Sequence, residues 1–203
     1  MGFLSVLSFA HKLVGERLQP GDAAVDATAG TGADTLFLAR ACGPRGQVFA
    51  FDIQAEALSL TQARLHKEEP ALLPAVTLLR QSHAEMEEAL PRGIQGKLGA
   101  VMFNLGYLPA AGANPSLITQ TSSTLQALDA ALRLLRPRGI LTAVLYPGHA
   151  GGDEEAMAVE SWASALPQAA GQAVIYRQLQ KPAAPYLIAV EKKQEKEGFS
   201  DVS

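Results

Sequence analysis

The stretch Asp26-Ala-Thr-Ala-Gly30-Thr-Gly32-Ala-Asp34-Thr35 stands where a short β-rich run, residues 23–28, gives way to a helical one, residues 33–41. Its glycines permit a tight turn and a close backbone approach to a ligand, and the helix start offers unpaired N–H groups. The spacing is Gly-x-Gly followed by Ala-Asp, without the third glycine of the dinucleotide fingerprint, so a pyrophosphate is poorly supported. The competing reading is an ordinary turn between strand and helix, capped by Asp34.

Outward from this turn the same alternation continues. Residues 47–52, 76–81, 98–104 and 140–146 read as further strands, and residues 55–68 and 116–135 as further helices. In the last helix Leu117, Thr121, Leu125, Leu128, Leu132 and Leu135 share one stripe before Arg136-Pro137 ends it. Upstream, Phe3, Val6, Leu7, Ala10, Leu13, Val14 and Leu18 recur at helical spacing until Pro20-Gly21, which predicts a lead-in helix. After a helix over 153–166, the runs 173–179 and 186–191 are joined by Lys-Pro-Ala-Ala-Pro, too short for a crossover helix, and should form an antiparallel hairpin. The expected fold is α/β: a doubly wound, mostly parallel sheet with a C-terminal antiparallel hairpin. One domain is expected over residues 1–192, followed by a frayed tail over 193–203.

Composition supports one folded domain. The chain has 203 residues, 48% of them hydrophobic and 18% charged. A formal net charge of -3 argues against a strongly basic nucleic-acid module. A local patch stays open: Arg133, Arg136 and Arg138 bracket one helix end, and Lys12 and Arg17 lie on the first helix, as phosphate contacts or as solvated faces. The single cysteine, Cys42, has no disulfide partner, and no metal site is expected. The opening ten residues lack a basic n-region and a cleavage signature, and no stretch is long enough to span a bilayer. A cytoplasmic protein without membrane contact is the expectation.

Asp52 ends the second strand about twenty residues beyond the glycines. A carboxylate there can accept hydrogen bonds from both ribose hydroxyls of a nucleoside. Gln54 follows it. Ser82-His83, after the third strand, could meet an adenine edge, or His83 could be a surface helix cap. Asn104-Leu-Gly-Tyr107-Leu-Pro109 follows the fourth strand, on the edge where open α/β sheets bind ligands. His149 lies in a glycine-flanked loop after the fifth strand, as a substrate contact or as a loop residue. His11, on the first helix, reads as structural or as a pocket wall.

Several of these segments carry a resemblance. Asp26-Ala-Thr-x-Gly-x-Gly resembles methyltransferase motif I, and Asn104-Leu-Gly-Tyr107 resembles the Asn/Asp-Pro-Pro-Tyr motif of methyltransferases acting on amine nitrogens, with Leu105 and Gly106 in place of the prolines. Together with Asp52-Ile-Gln54, Ser82-His83 and Gly148-His149-x-Gly-Gly they look like the YtqB-type family of rRNA methylases, over nearly the whole chain from Phe9 to Lys192. After Pro109 that family usually has Gly-Gly-Asp where this chain has Ala110-Ala-Gly-Ala.

The resemblance implies a class I fold, S-adenosylmethionine as cofactor, and the MnmM activity, methylation of the 5-aminomethyl group of wobble 2-thiouridine in the tRNA anticodon region. It implies cofactor contacts from Asp26, Thr28, Gly30, Gly32, Asp34, Thr35, Asp52, Gln54, Ser82, His83 and Asn104. Asn104 and Tyr107 would position the amine, with His149 as substrate contact or proton acceptor. No cysteine nucleophile is needed, since nitrogen attacks the methyl directly. Two alternatives stay open: a small-molecule or protein N-methyltransferase, and a non-catalytic nucleoside- or RNA-binding module. A homodimer is also left open.

Overall fold

A computed structural model describes residues 2–106, 121–148 and 151–194. In chain order the elements are α1 (Val6–Gly15), β1 (Ala23–Asp26), α2 (Ala33–Cys42), β2 (Gln47–Phe51), α3 (Ala55–Leu65), β3 (Ala75–Leu79), α4 (Met86–Ala89), β4 (Leu98–Leu105), α5 (Thr121–Leu134), β5 (Leu135–Leu145), α6 (Gly152–Ala165), β6 (Gly171–Tyr176) and β7 (Tyr186–Lys192). The described strands form one seven-stranded sheet, ordered β3-β2-β1-β4-β5-β7-β6. The pairs among β1 to β5 are parallel, and β7 runs antiparallel to both β5 and β6. The expected α/β fold with a closing hairpin is the one observed.

Alternation along the central strands explains the layers, because successive side chains point to opposite faces of the sheet. On β4, Ala100 and Met102 join Ala24, Val48, Ile140 and Val144 beneath α1 and α2. Val101, Phe103 and Leu105 join Val25, Phe51, Leu141 and Leu145 beneath α5 and α6. Both faces are covered, and a fully buried side chain such as Phe103 or Leu141 contributes about 2–3 kcal/mol by leaving water.

Two local expectations change. The fifth strand starts at Leu135 rather than at residue 140. Its Leu135 pairs with Leu98 and its Ile140 with Ala100, so an irregularity absorbs the extra residues; Arg138 takes a left-handed φ of 63° within it. The short helical turns around α4, between β3 and β4, carried no periodic signal in the sequence, being too brief for one.

Three of the arginines weighed as phosphate contacts or solvated faces meet carboxylates. Arg133 binds Glu87, Arg136 binds Asp22 and the Arg17 carbonyl, and Arg17 binds Glu191. Cys42 is completely buried, and burial pushes its thiol up to about 12, which makes it inert at neutral pH. No helix among the described residues is long and apolar enough to cross a membrane.

Candidate functional site

The sheet order reverses between β1 and β4, and such a switch point opens a crevice at the carboxyl ends of the strands. Asp26 pairs with Met102 in register, and Ala27 N–H donates to the Met102 carbonyl at 2.8 Å. One step further the backbones part. Thr28 Oγ1 then accepts the Asn104 backbone N–H at 2.7 Å, so a side chain continues the ladder where the crevice begins.

The glycine-rich turn is held from within. Asp26 is completely buried; its Oδ1 accepts the Thr28 N–H at 3.1 Å and its Oδ2 accepts the Thr35 hydroxyl at 2.6 Å. Thr35 is equally buried, so both side chains shape the turn from beneath rather than facing solvent. Burial and the nearby Asp34 charge push the Asp26 carboxyl well above the usual carboxylate range, against the pull of its hydrogen bonds.

Gly30 and Gly32 both have positive φ, 53° and 78°. At Gly32 a Cβ would lie 2.7 Å from the Thr61 Cα, so this glycine also lets α3 pack on the turn. Gly32 is also the N-cap of α2. That corrects the capping reading of Asp34, whose Oδ1 instead lies 2.6 Å from His11 Nε2, the imidazole stacking on Phe37. His11 thus joins α1 to α2.

Asp52 is part-buried at the end of β2. Its Oδ2 accepts the Gly30 N–H at 3.0 Å and its Oδ1 the Gln54 N–H at 2.9 Å, so one carboxylate joins two loops. Each oxygen keeps a further lone pair, and the group still has two acceptor positions to offer. Beyond β3, Ser82 caps the next turn by accepting the Ala84 N–H. His83 is no surface cap. It is buried, with Nδ1 3.2 Å from the Ala27 carbonyl and its ring edge-on to Phe103; burial lowers its pKa, which keeps the ring neutral.

Tyr107 and His149 lie outside the described residues. The structure does add Tyr146, the first residue after β5, which the sequence reading took only as a strand end. Asn104 pairs with Val144, and side chains two apart share a face, so Tyr146 and Asn104 project from the same side of the sheet. A Cβ on Gly106 would come within 3.2 Å of the Tyr146 ring. Burial, and after it the Asp34 charge, raise the Tyr146 phenol above its ordinary value. The alternation of β4 and β5 was the signal that could have found it.

A model of the family described as "Putative rRNA methylase" matches residues 48–191. The chain belongs to this family. It is a family of methyltransferases, and relatives extend the match to almost the whole chain. The tRNA (mnm(5)s(2)U34)-methyltransferase, chloroplastic, of Arabidopsis thaliana is 37% identical over 91% of this chain and 68% of its own length. A Clostridium thermocellum structure described in the family's own words superposes with a TM-score of 0.87 at 34% identity, covering 95% of this chain and all of that one. A Streptococcus mutans "putative methyltransferase" in complex with SAH gives 0.81 at 30% identity, covering 94% and 99%. These matches agree with the resemblance read from the motifs.

Proposed function

We propose that this family member uses S-adenosylmethionine to methylate the 5-aminomethyl group of wobble 2-thiouridine in tRNA. The observation that carries the reading is the identity to the Arabidopsis tRNA methyltransferase over 91% of the chain. The donor set fits the cofactor. Asp52 retains two acceptor positions for ribose hydroxyls, Gln54 adjoins it, and the part-buried Thr28 and Gly30 line the turn beside it. The buried Asp26 and Thr35 hold that turn in shape, and His83 and Ser82 stand after the next strand, on the adenine side.

When bound, S-adenosylmethionine supplies an electrophilic sulfonium methyl, and displacement by a neutral amine nitrogen leaves S-adenosylhomocysteine and a methylated ammonium that sheds one proton. Asn104 does the positioning: its side-chain oxygen accepts one N–H of the amine and leaves the nitrogen lone pair free to attack. Holding donor and acceptor in line supplies much of the acceleration. Thr28 sets the Asn104 backbone from which that oxygen is aimed. Tyr107, as a second residue positioning the amine, and His149, as substrate contact or proton acceptor, belong to this proposal through the resemblance alone.

The test is mass spectrometry of nucleosides after incubating the protein with labelled cofactor and tRNA bearing the unmethylated amine. Label on the wobble nucleoside is the expected outcome. The family description names ribosomal RNA, so rRNA forms the parallel arm. Label there, with none on tRNA, would overturn the substrate.

A further inference from the structure

An alkylamine is an ammonium at neutral pH, and an ammonium has no lone pair with which to attack a methyl group. A site that methylates amines therefore needs an acceptor for that proton. His11 has the chemistry for it. Its Nε2 lies 2.6 Å from Asp34 Oδ1, and its ring stacks on Phe37 with centroids 4.0 Å apart, 3° from parallel. The Asp34 side chain is 10% exposed and that of His11 31%, so the carboxylate is enclosed while the imidazole can still be reached. A carboxylate only accepts, so Nε2 carries the hydrogen; Nδ1, without a hydrogen-bond partner among the described residues, keeps the lone pair.

The fold puts this pair on the same face and the same edge of the sheet as Asn104. Ala100 and Met102 of β4 pack beneath α1 and α2, and the two-residue period sends Asn104 to that face as well. Leu4, just ahead of α1, accepts the Tyr176 hydroxyl at 2.9 Å, and Tyr176 is level with Leu187 and through it with Val144, near the carboxyl end of β5. Arg17, just past α1, binds Glu191, which is level with Ile140 toward the opposite edge. The helix thus descends from the carboxyl edge, and Asp34, in the first turn of α2 after the glycine-rich loop, meets His11 there. Around the ring α2 presents Asp34 and Phe37, the end of β5 the Tyr146 phenol, β6 the Tyr176 hydroxyl and β7 the Glu191 carboxylate taken by Arg17. On α1 itself Lys12 pairs with Glu16.

We propose that His11 is the proton acceptor that readies the amine for methyl transfer: its Nδ1, left with a lone pair by the Nε2 contact to Asp34, takes one proton from the bound ammonium, directly or through one water. This rests on the amine-methylating function proposed above. The N–H bond of the ammonium breaks with its electron pair left on nitrogen, and an N–H bond forms on the imidazole. The imidazolium is balanced by the Asp34 carboxylate and returns its proton to solvent after transfer. His149 is left as a substrate contact.

His11→Gln keeps a donor for Asp34 and removes the base. In single-turnover transfer to tRNA it should lower the rate roughly a hundredfold at neutral pH, the lower end for a positioned acid or base. The deficit should shrink as the pH is raised, because the amine then loses its proton to solvent without help. His149→Gln should show no such pH-dependent recovery. A His11→Gln deficit equal at every pH would mean a structural role, and with no deficit, or with the recovery found in His149→Gln instead, the proposal is overturned. A second readout needs no acceptor: nitrogen resonances of the 15N-labelled protein with S-adenosylhomocysteine should show the neutral His11 ring protonated at Nε2 and bare at Nδ1. The opposite tautomer would overturn the proposal. A wild-type protein with the expected tautomer that transfers no methyl to any tRNA would refute the amine-methylating reading, and the proton-acceptor role with it, while leaving the His11–Asp34 pair standing.

Discussion

Thr28 Oγ1 accepts the Asn104 backbone N–H at 2.7 Å, bridging β1 and β4 just where their own ladder ends. A part-buried N–H that loses its only acceptor costs about 1–3 kcal/mol. Thr28→Val keeps the shape and removes the acceptor. Thermal melting should fall by that amount, and methyl transfer should fall with it, because the Asn104 backbone is no longer pinned. Unchanged melting would mean water replaces the hydroxyl.

Asp52 makes a second cross-link, from β2 to Gly30 and Gln54. Asp52→Ala should therefore lose the ribose contacts and loosen the glycine-rich turn together. Calorimetry with S-adenosylhomocysteine should record an affinity loss of roughly a hundredfold, the scale of two hydrogen bonds to a charged acceptor. Affinity close to wild type would remove Asp52 from the cofactor site.

Gly32 and Gly21 separate strain from clash. Both have positive φ, 78° and 100°, but a Cβ on Gly32 meets the Thr61 backbone at 2.7 Å while one on Gly21 meets nothing within 4 Å. Alanine at Gly21 pays only the backbone cost, on the order of 1 kcal/mol. Alanine at Gly32 must also push α3 away, so its melting temperature should drop clearly further. Equal losses would show that α3 yields freely.

Asn104→Ala removes the proposed acceptor of the amine N–H. Turnover should drop by about a hundredfold or more, as when one preorganised polar group is deleted, while S-adenosylhomocysteine affinity changes much less. Equal losses in rate and binding would place Asn104 in the cofactor shell. Unchanged turnover would remove it from the mechanism.

His83 should leave a trace in the pH dependence of stability. Burial holds its pKa below the ordinary 6.5, so the folded protein resists the proton that the unfolded chain accepts. Its contribution is complete above pH 6.5 and is lost as the pH falls toward the depressed folded value. Wild type should thus lose melting temperature between pH 7 and 5 more steeply than His83→Gln, which has no ring to titrate. Parallel curves would contradict a buried neutral imidazole.

Much of this protein was legible in its sequence because the deciding signals are local. The alternation of apolar runs around Asp26 to Thr35, the lone carboxylate at Asp52 and the Asn104 segment mark strand ends, and a parallel sheet brings its strand ends to one edge. What a side chain does at that edge depends on neighbours far away in the chain. Asp34 and His11 are 23 residues apart, Thr28 and Asn104 are 76 apart, and no periodicity records either pairing. Gly32 leaves room for α3 to pack on the turn, and Arg133 and Arg136 meet carboxylates far away in the chain. Strand order and register, set by burial on both faces of the sheet, decided these contacts, and they placed Tyr146 beside Asn104.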